Sequence, residues 1–157
     1  MSELAAQVER LLALEEIRAL VAQYAASYDD HDWQTFAGLW TEDAVFLVNG
    51  RAFEGREALL EFLTTCLPDD YVGKHLCAPP LLDLAADGER ATGRTDVVWI
   101  AQNFENSIVA RYLDEFRKEG GRWLFARREE ITVPYRPGLP PYSDAASALN
   151  GEMRRSA

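Results

Sequence analysis

Between Lys74 and Pro134 the chain is cut into long strand-forming segments by three turn signals, Asp87-Gly88, Glu105-Asn106 and Gly120-Gly121. The segments cover residues 74–86, 89–104, 107–118 and 122–134. They are about twice the usual strand length of ~5–6 residues, and strands that long must twist and bend. Pro79-Pro80 cannot donate ladder hydrogen bonds, so a bulge or bend is expected in the first of them. A bent sheet has a concave face that the rest of the chain must cover.

The preceding part supplies that cover. Val8, Leu11, Leu14, Ile17, Leu20, Val21, Tyr24 and Tyr28 recur at three- and four-residue steps and predict one apolar helix face. Asp32 is the expected N-cap of a shorter helix carrying Trp33, Phe36, Leu39 and Trp40. The period then changes to that of a strand over 44–48, Asn49-Gly50 is the favoured hairpin dipeptide, and 51–54 returns. Gly55 opens a third helix, 56–67, with Leu59, Leu60, Phe62 and Leu63 inward and Pro68 as its stop. The expected fold is one α+β domain over 1–135. A cone-shaped, curved, antiparallel or mixed sheet of about six strands and three helices enclose a pocket. A Pro- and Gly-containing tail, 136–157, is expected to be flexible or to cover the pocket mouth.

Charge narrows the partners. The formal net charge is −10, which repels phosphate backbones and anionic lipid, so neither nucleic acid nor membrane is expected. The longest apolar runs are too short to span a bilayer, and residues 1–10 lack an apolar signal core. Cys66 and Cys77 read as reduced thiols, which suits a cytoplasmic location. No Gly-rich phosphate loop or nucleophile motif occurs, and the acidic turn Asp29-Asp30-His31-Asp32 offers no converging metal ligands. No metal or organic cofactor is expected, and His31 is expected to be exposed.

The order of these elements and the residues at their joints resemble the SnoaL-like branch of the nuclear-transport-factor-two-like superfamily. The marks are Tyr24, Tyr28-Asp29 and Asp32-Trp33 at the helix joint, Glu42-Asp43-Ala44, Gly55, His75, Tyr112-x-Asp114-x-Phe116 and Gly121-x-Trp123, together spanning about Leu11 to Pro134. Within that branch Ser27-Tyr28-Asp29 with Asp32-Trp33 is similar to scytalone dehydratase, whose aspartate pairs with a histidine at the place of His75. Its second active tyrosine falls at Val48, its second histidine near Ala101 and its pocket asparagine near Tyr112. Tyr24, Asp29, His75 and Arg128 match the pattern of bile-acid dehydratase. Hexachlorocyclohexane dehydrochlorinase shares the pair and the arginine but has lysine at Tyr24 and tryptophan at Phe46. The chemistry these relatives share is elimination.

The resemblance therefore implies a lyase site. His75 is the general base and Asp29 orients its ring. Tyr24 bonds a carbonyl or the departing hydroxyl, and Arg128 stabilises developing negative charge. Arg127 and Arg128 alternate across the last strand, so one of them faces inward. Parity groups Trp123 and Phe125 with Arg127, and Leu124 and Ala126 with Arg128; the family spacing selects Arg128. Alternation also predicts a hydrophobic lining of Tyr28, Phe46, Val48, Phe53, Cys77, Val97, Trp99, Ala101, Ala110 and Tyr112, suited to a small hydrophobic substrate. An isomerase or cyclase using the same base, or a ligand-binding domain without catalysis, fits the same residues. Val98, Ile100, Leu113, Leu124 and Ala126 on the opposite face suggest a homo-oligomer, a trimer by analogy with the dehydratases or else a dimer.

Overall fold

The computed structural model describes residues 2–66, 72–102, 104 and 107–133. Pro68, the Glu105-Asn106 turn and the tail 136–157 lie outside the described residues.

Helix α1, Glu3–Asp29, starts at Ser2, whose side chain accepts from Ala5 N–H at 3.2 Å. Its inward residues run from Ala13 through Ile17, Leu20, Val21 and Tyr24 to Tyr28. Val8 and Leu11, expected on the buried face, are instead exposed, as are Leu4 and Leu12. The stripe is present, but α1 rises about 1.5 Å per residue, and among the described residues its burial begins only at Ala13.

Asp32 caps α2, Trp33–Ala37, by accepting from Thr35 N–H at 3.1 Å. This helix is shorter than expected. Trp40 already belongs to β1, Trp40–Val48, because Phe125 N–H takes the carbonyl of Leu39 and draws the chain into the sheet. Asn49 and Gly50 both have positive φ (51° and 76°), the geometry of a tight hairpin turn into β2, Arg51–Glu54. Gly55, at φ 86°, precedes α3, Arg56–Thr65, which buries Leu59 and Leu63.

The sheet has seven strands among the described residues. To β1 and β2 it adds β3 (Gly73–Cys77), β4 (Leu81–Leu84), β5 (Arg90–Ala101), β6 (Ser107–Glu119) and β7 (Arg122–Thr132), in the order β2-β1-β7-β6-β5-β3 with β4 also on β5. The β1–β7 pair is parallel and the others antiparallel, so the sheet is mixed, curved and unclosed. The long first strand expected over 74–86 is two strands on one edge of β5. Ala78 N–H still donates to Asp96, but Pro79 and Pro80 have no N–H to continue the ladder.

One irregularity sets the inward face of β7. Glu115 pairs with Arg127 but Phe116 pairs with Phe125, so Ala126 is an extra residue, a β-bulge. Trp123 and Phe125 face the core before it, and Arg128 faces the core after it. The strict alternation that grouped Arg127 with Phe125 fails at this one residue. Against the concave face, α1 packs on β3, β4 and β7 and α3 on β1 and β2. Tyr24, Phe36, Trp40, Phe46, Phe116 and Phe125 form the aromatic centre of the core, each at most 2% exposed. Among the described residues no helix is long and apolar enough to cross a membrane.

Candidate active site

The end of α1 and the start of β3 bring the two expected catalytic residues together. Asp29 lies in the last turn of α1, where neighbouring side chains diverge. Asp30 points outward and pairs with Lys74 at 2.8 Å, which leaves Asp29 pointing inward. Asp29 Oδ2 accepts the backbone N–H of His75 at 2.8 Å, and Oδ1 lies 2.6 Å from His75 Nδ1. The two side chains are 4% and 7% exposed, so water competes little for either. An ionised carboxylate only accepts hydrogen bonds, so opposite it Nδ1 is the donor, and in that neutral tautomer Nε2 is the nitrogen with a lone pair to act as base. His75 lines a cavity of about 330 Å³, while Asp29 stands behind it, outside the wall.

Most of the expected lining is present. Tyr24, Tyr28, Phe46, Val48, Val97, Trp99, Ala110 and Tyr112 line the cavity with His75. Three expected residues do not. Phe53 stacks on Phe62 with centroids 4.0 Å apart, and the intervening Phe62 forms the wall. Cys77 packs against the core, where burial raises its thiol pKa. Ala101 is buried at the end of β5 opposite Gly73. Gly73 itself is needed there: a Cβ would collide with the Trp99 indole and approach Ile100 O to 2.6 Å. Its absence lets Trp99 stand in the cavity wall.

Alternation alone did not bring out Asn49, Phe62, Leu63, Cys66, Ile108, Glu130 and Thr132, which also line the cavity. Asn49, Cys66, Ile108 and Thr132 are exposed and form its rim. Glu130 is the chemically important addition. The available signal was its position two residues after Arg128, on the same face of β7. Burial raises its carboxyl pKa, opposed in part by Arg128, by His75 and by a hydrogen bond with Thr132.

Arg128 is inward, but behind the wall rather than in it. It is fully buried and grips Asp114 through Nε–Oδ1 (2.7 Å) and Nη2–Oδ2 (2.9 Å). Its guanidinium lies 4.0 Å from the centroids of both Tyr24 and Tyr112 and 4.4 Å from that of Phe125. Burial opposes its charge, yet Asp114 and the two tyrosines hold its pKa above the ordinary arginine value. The two tyrosine hydroxyls are thus backed by a permanent cation. Burial pushes the Tyr24 pKa up to about 12 even against Arg128, so at neutral pH it is a neutral donor. The Tyr28 hydroxyl is already engaged, donating to Leu63 O at 3.1 Å. His31 is exposed and stacked on Trp33. Among the described residues no three His, Cys, Asp or Glu groups cluster as metal ligands would.

The SnoaL-like domain model matches residues 9–129, most of the chain, including Tyr24, Asp29, His75 and Arg128. The chain belongs to the SnoaL-like family. Its fold is that of an NTF2-like protein with a cystatin-like fold from Novosphingobium aromaticivorans (27% identity, TM-score 0.74, covering 85% of this chain and 90% of that one). It is similar to Rv3472, a protein of unknown function from Mycobacterium tuberculosis (27% identity, TM-score 0.72, 90% and 83% covered). A Type2 hexachlorocyclohexane dehydrochlorinase, LinA, shares the fold at 21% identity (TM-score 0.71, 86% and 98% covered). No curated protein matches this SnoaL-like chain in sequence.

Proposed function

We propose that this protein is a cofactor-independent lyase that eliminates water from a small hydrophobic compound, cyclic and hydroxylated or bearing a carbonyl. The observation that carries the reading is the Asp29–His75 pair, 2.6 Å from oxygen to ring nitrogen, with the imidazole on the wall of a mostly apolar cavity. Such a base takes a carbon-bound proton at Nε2, while Asp29 fixes the tautomer and stabilises the imidazolium that forms. Tyr24 donates a hydrogen bond to a substrate carbonyl or to the departing oxygen, and Arg128 supports the charge from behind the tyrosines. The volume, about 330 Å³, falls at the small end of the ~300–1,000 Å³ typical of ligand sites. The LinA neighbour, a dehydrochlorinase by name, is in keeping with elimination on this fold.

The test is turnover of candidate β-hydroxy carbonyl compounds by wild type and His75→Ala, followed by mass spectrometry. Loss of water that depends on His75 supports the reading. An isomer of unchanged mass, or binding without turnover, overturns it. The proposed assembly is a trimer, formed through the convex face where Val98, Ile100, Leu113, Leu124 and Ala126 are half-buried and Leu76, Val109 and Ile131 exposed.

A further inference from the structure

The cavity wall carries one carboxyl among the described residues, Glu130, for which the dyad leaves no task. Glu130 lies on β7, opposite Tyr112 of β6 and opposite Val48 of β1. His75 lies on β3, three strands away across β6 and β5. Measured along a flat sheet, three strand spacings are about 14 Å; the curvature turns both residues into one hollow, where both are lining residues. A carboxyl and an imidazole thus enter the cavity from different strands, with aromatic and aliphatic side chains between them.

We propose that Glu130 is the proton donor to the leaving hydroxyl, acting across the cavity from His75. This rests on the elimination reading and assigns the half of the reaction that the dyad does not perform. In the step, His75 Nε2 takes the proton from carbon and the C–H electron pair becomes the new double bond. The C–O bond breaks, and its oxygen leaves as water carrying the Glu130 proton. The imidazolium and the carboxylate then stand on different walls of the cavity, and one proton passed back from His75 to Glu130 through water restores both groups.

The surroundings of Glu130 suit that task. Burial raises the Glu130 carboxyl pKa, which favours the protonated form that a donor requires. Arg128 behind it and His75 in front both favour the carboxylate, so the proton leaves more readily once the imidazolium has formed. The tyrosines that share the cavity with it, Tyr24, Tyr28 and Tyr112, all have raised pKa values, and the Cys66 thiol stands at the rim. A tyrosine held near 12 is a poorer acid at neutral pH than a carboxyl displaced upward from its ordinary range. Tyr28 also already donates to Leu63.

Two measurements test this. The first needs no substrate: carbon-13 NMR of the glutamate carboxyls, with Glu130→Gln to assign the signal. A Glu130 carboxyl titrating above the other glutamates is expected; one titrating among them overturns the proposal. The second uses a benzylic β-hydroxy ketone and the matching β-chloro ketone, which yield the same conjugated ketone but differ in whether the leaving group needs a proton. Glu130→Gln should lower kcat on the hydroxy compound by about 100-fold or more with KM little changed, and leave the chloro compound within about threefold. Equal losses on both, or none on the hydroxy compound, overturn it. His75→Gln should slow both. If it slows neither, the elimination reading itself fails, a result distinct from failure of Glu130 alone. If wild type turns over neither ketone, the carboxyl titration decides.

Discussion

Asp29 holds His75 twice, once through the backbone N–H (2.8 Å to Oδ2) and once through ring Nδ1 (2.6 Å to Oδ1). One carboxylate therefore sets both where β3 meets the end of α1 and which imidazole nitrogen faces the cavity. Asp29→Asn keeps the shape but can offer its NH2 to Nδ1, stabilising the tautomer with its proton on Nε2. Turnover should fall by about 10²- to 10⁴-fold with a nearly wild-type melting curve. Steady-state kinetics beside thermal unfolding check this, and a large loss of Tm with unchanged activity per folded molecule would contradict it.

Arg128 and Asp114 predict an asymmetry in stability. Both are fully buried and bonded through two contacts. Arg128→Met alone strands the Asp114 charge and should cost about 3–5 kcal/mol. Replacing both, as Arg128→Met with Asp114→Leu, should recover most of that loss, because no buried charge is left unpaired. Urea unfolding of the two variants measures the difference, and equal destabilisation would show that packing on Tyr24 and Tyr112, rather than charge, dominates.

Glu130 should leave a signature in the pH dependence of folding. Its carboxyl pKa is raised in the folded chain by burial. Between the unfolded and folded pKa values the folded chain holds more protons, so this contribution to stability is complete below the unfolded pKa and lost as pH rises through the folded one. Glu130→Gln cannot titrate. The stability difference, wild type minus variant, should therefore decline with rising pH and level off above the folded pKa. Chemical unfolding at a series of pH values from about 4 to 8 tests it; a flat difference would mean the carboxyl is solvated.

Gly73→Ala tests how Trp99 reaches the cavity. The new methyl would meet the indole and a backbone oxygen at 2.6 Å, Ile100 O, which cannot rotate away. A loss of about 1–3 kcal/mol is expected, along with changed tryptophan fluorescence and weaker binding of aromatic ligands. Unchanged fluorescence and stability would show that β3 is free to shift at this edge.

The convex face gives a prediction about assembly. Leu76 pairs with Val98, and Val98 with Val109, so an apolar stripe crosses β3, β5 and β6 on the side away from the cavity. Val109→Asp should turn the proposed trimer into a monomer in sedimentation velocity. A wild-type protein that sediments as a monomer would dismiss that assembly.

Much of the architecture is written in local chemistry. The Asp32 cap, the Asn49-Gly50 turn, Gly55 ahead of α3 and the proline break after β3 depend on one or two residues and their immediate neighbours, so they can be read without a fold. The inward aim of Asp29 was legible for the same reason, since it follows Tyr28 directly and so stands near the apolar face of α1. Three features needed the assembled chain. The bulge at Ala126 reverses the alternation of β7, and a bulge is a mismatch between two strands that neither strand reveals alone. Phe62, not Phe53, forms the wall because α3 lays the Phe62 ring over that of Phe53, a contact between elements that neither segment reveals alone. Glu130 becomes a cavity residue only because the curved sheet turns β7 toward β3, since pairings separated by three strands are fixed by the curvature of the whole sheet. The sequence by itself determined the elements, and its family resemblance pointed to the acid–imidazole pair; only tertiary structure decided which other groups share their hollow.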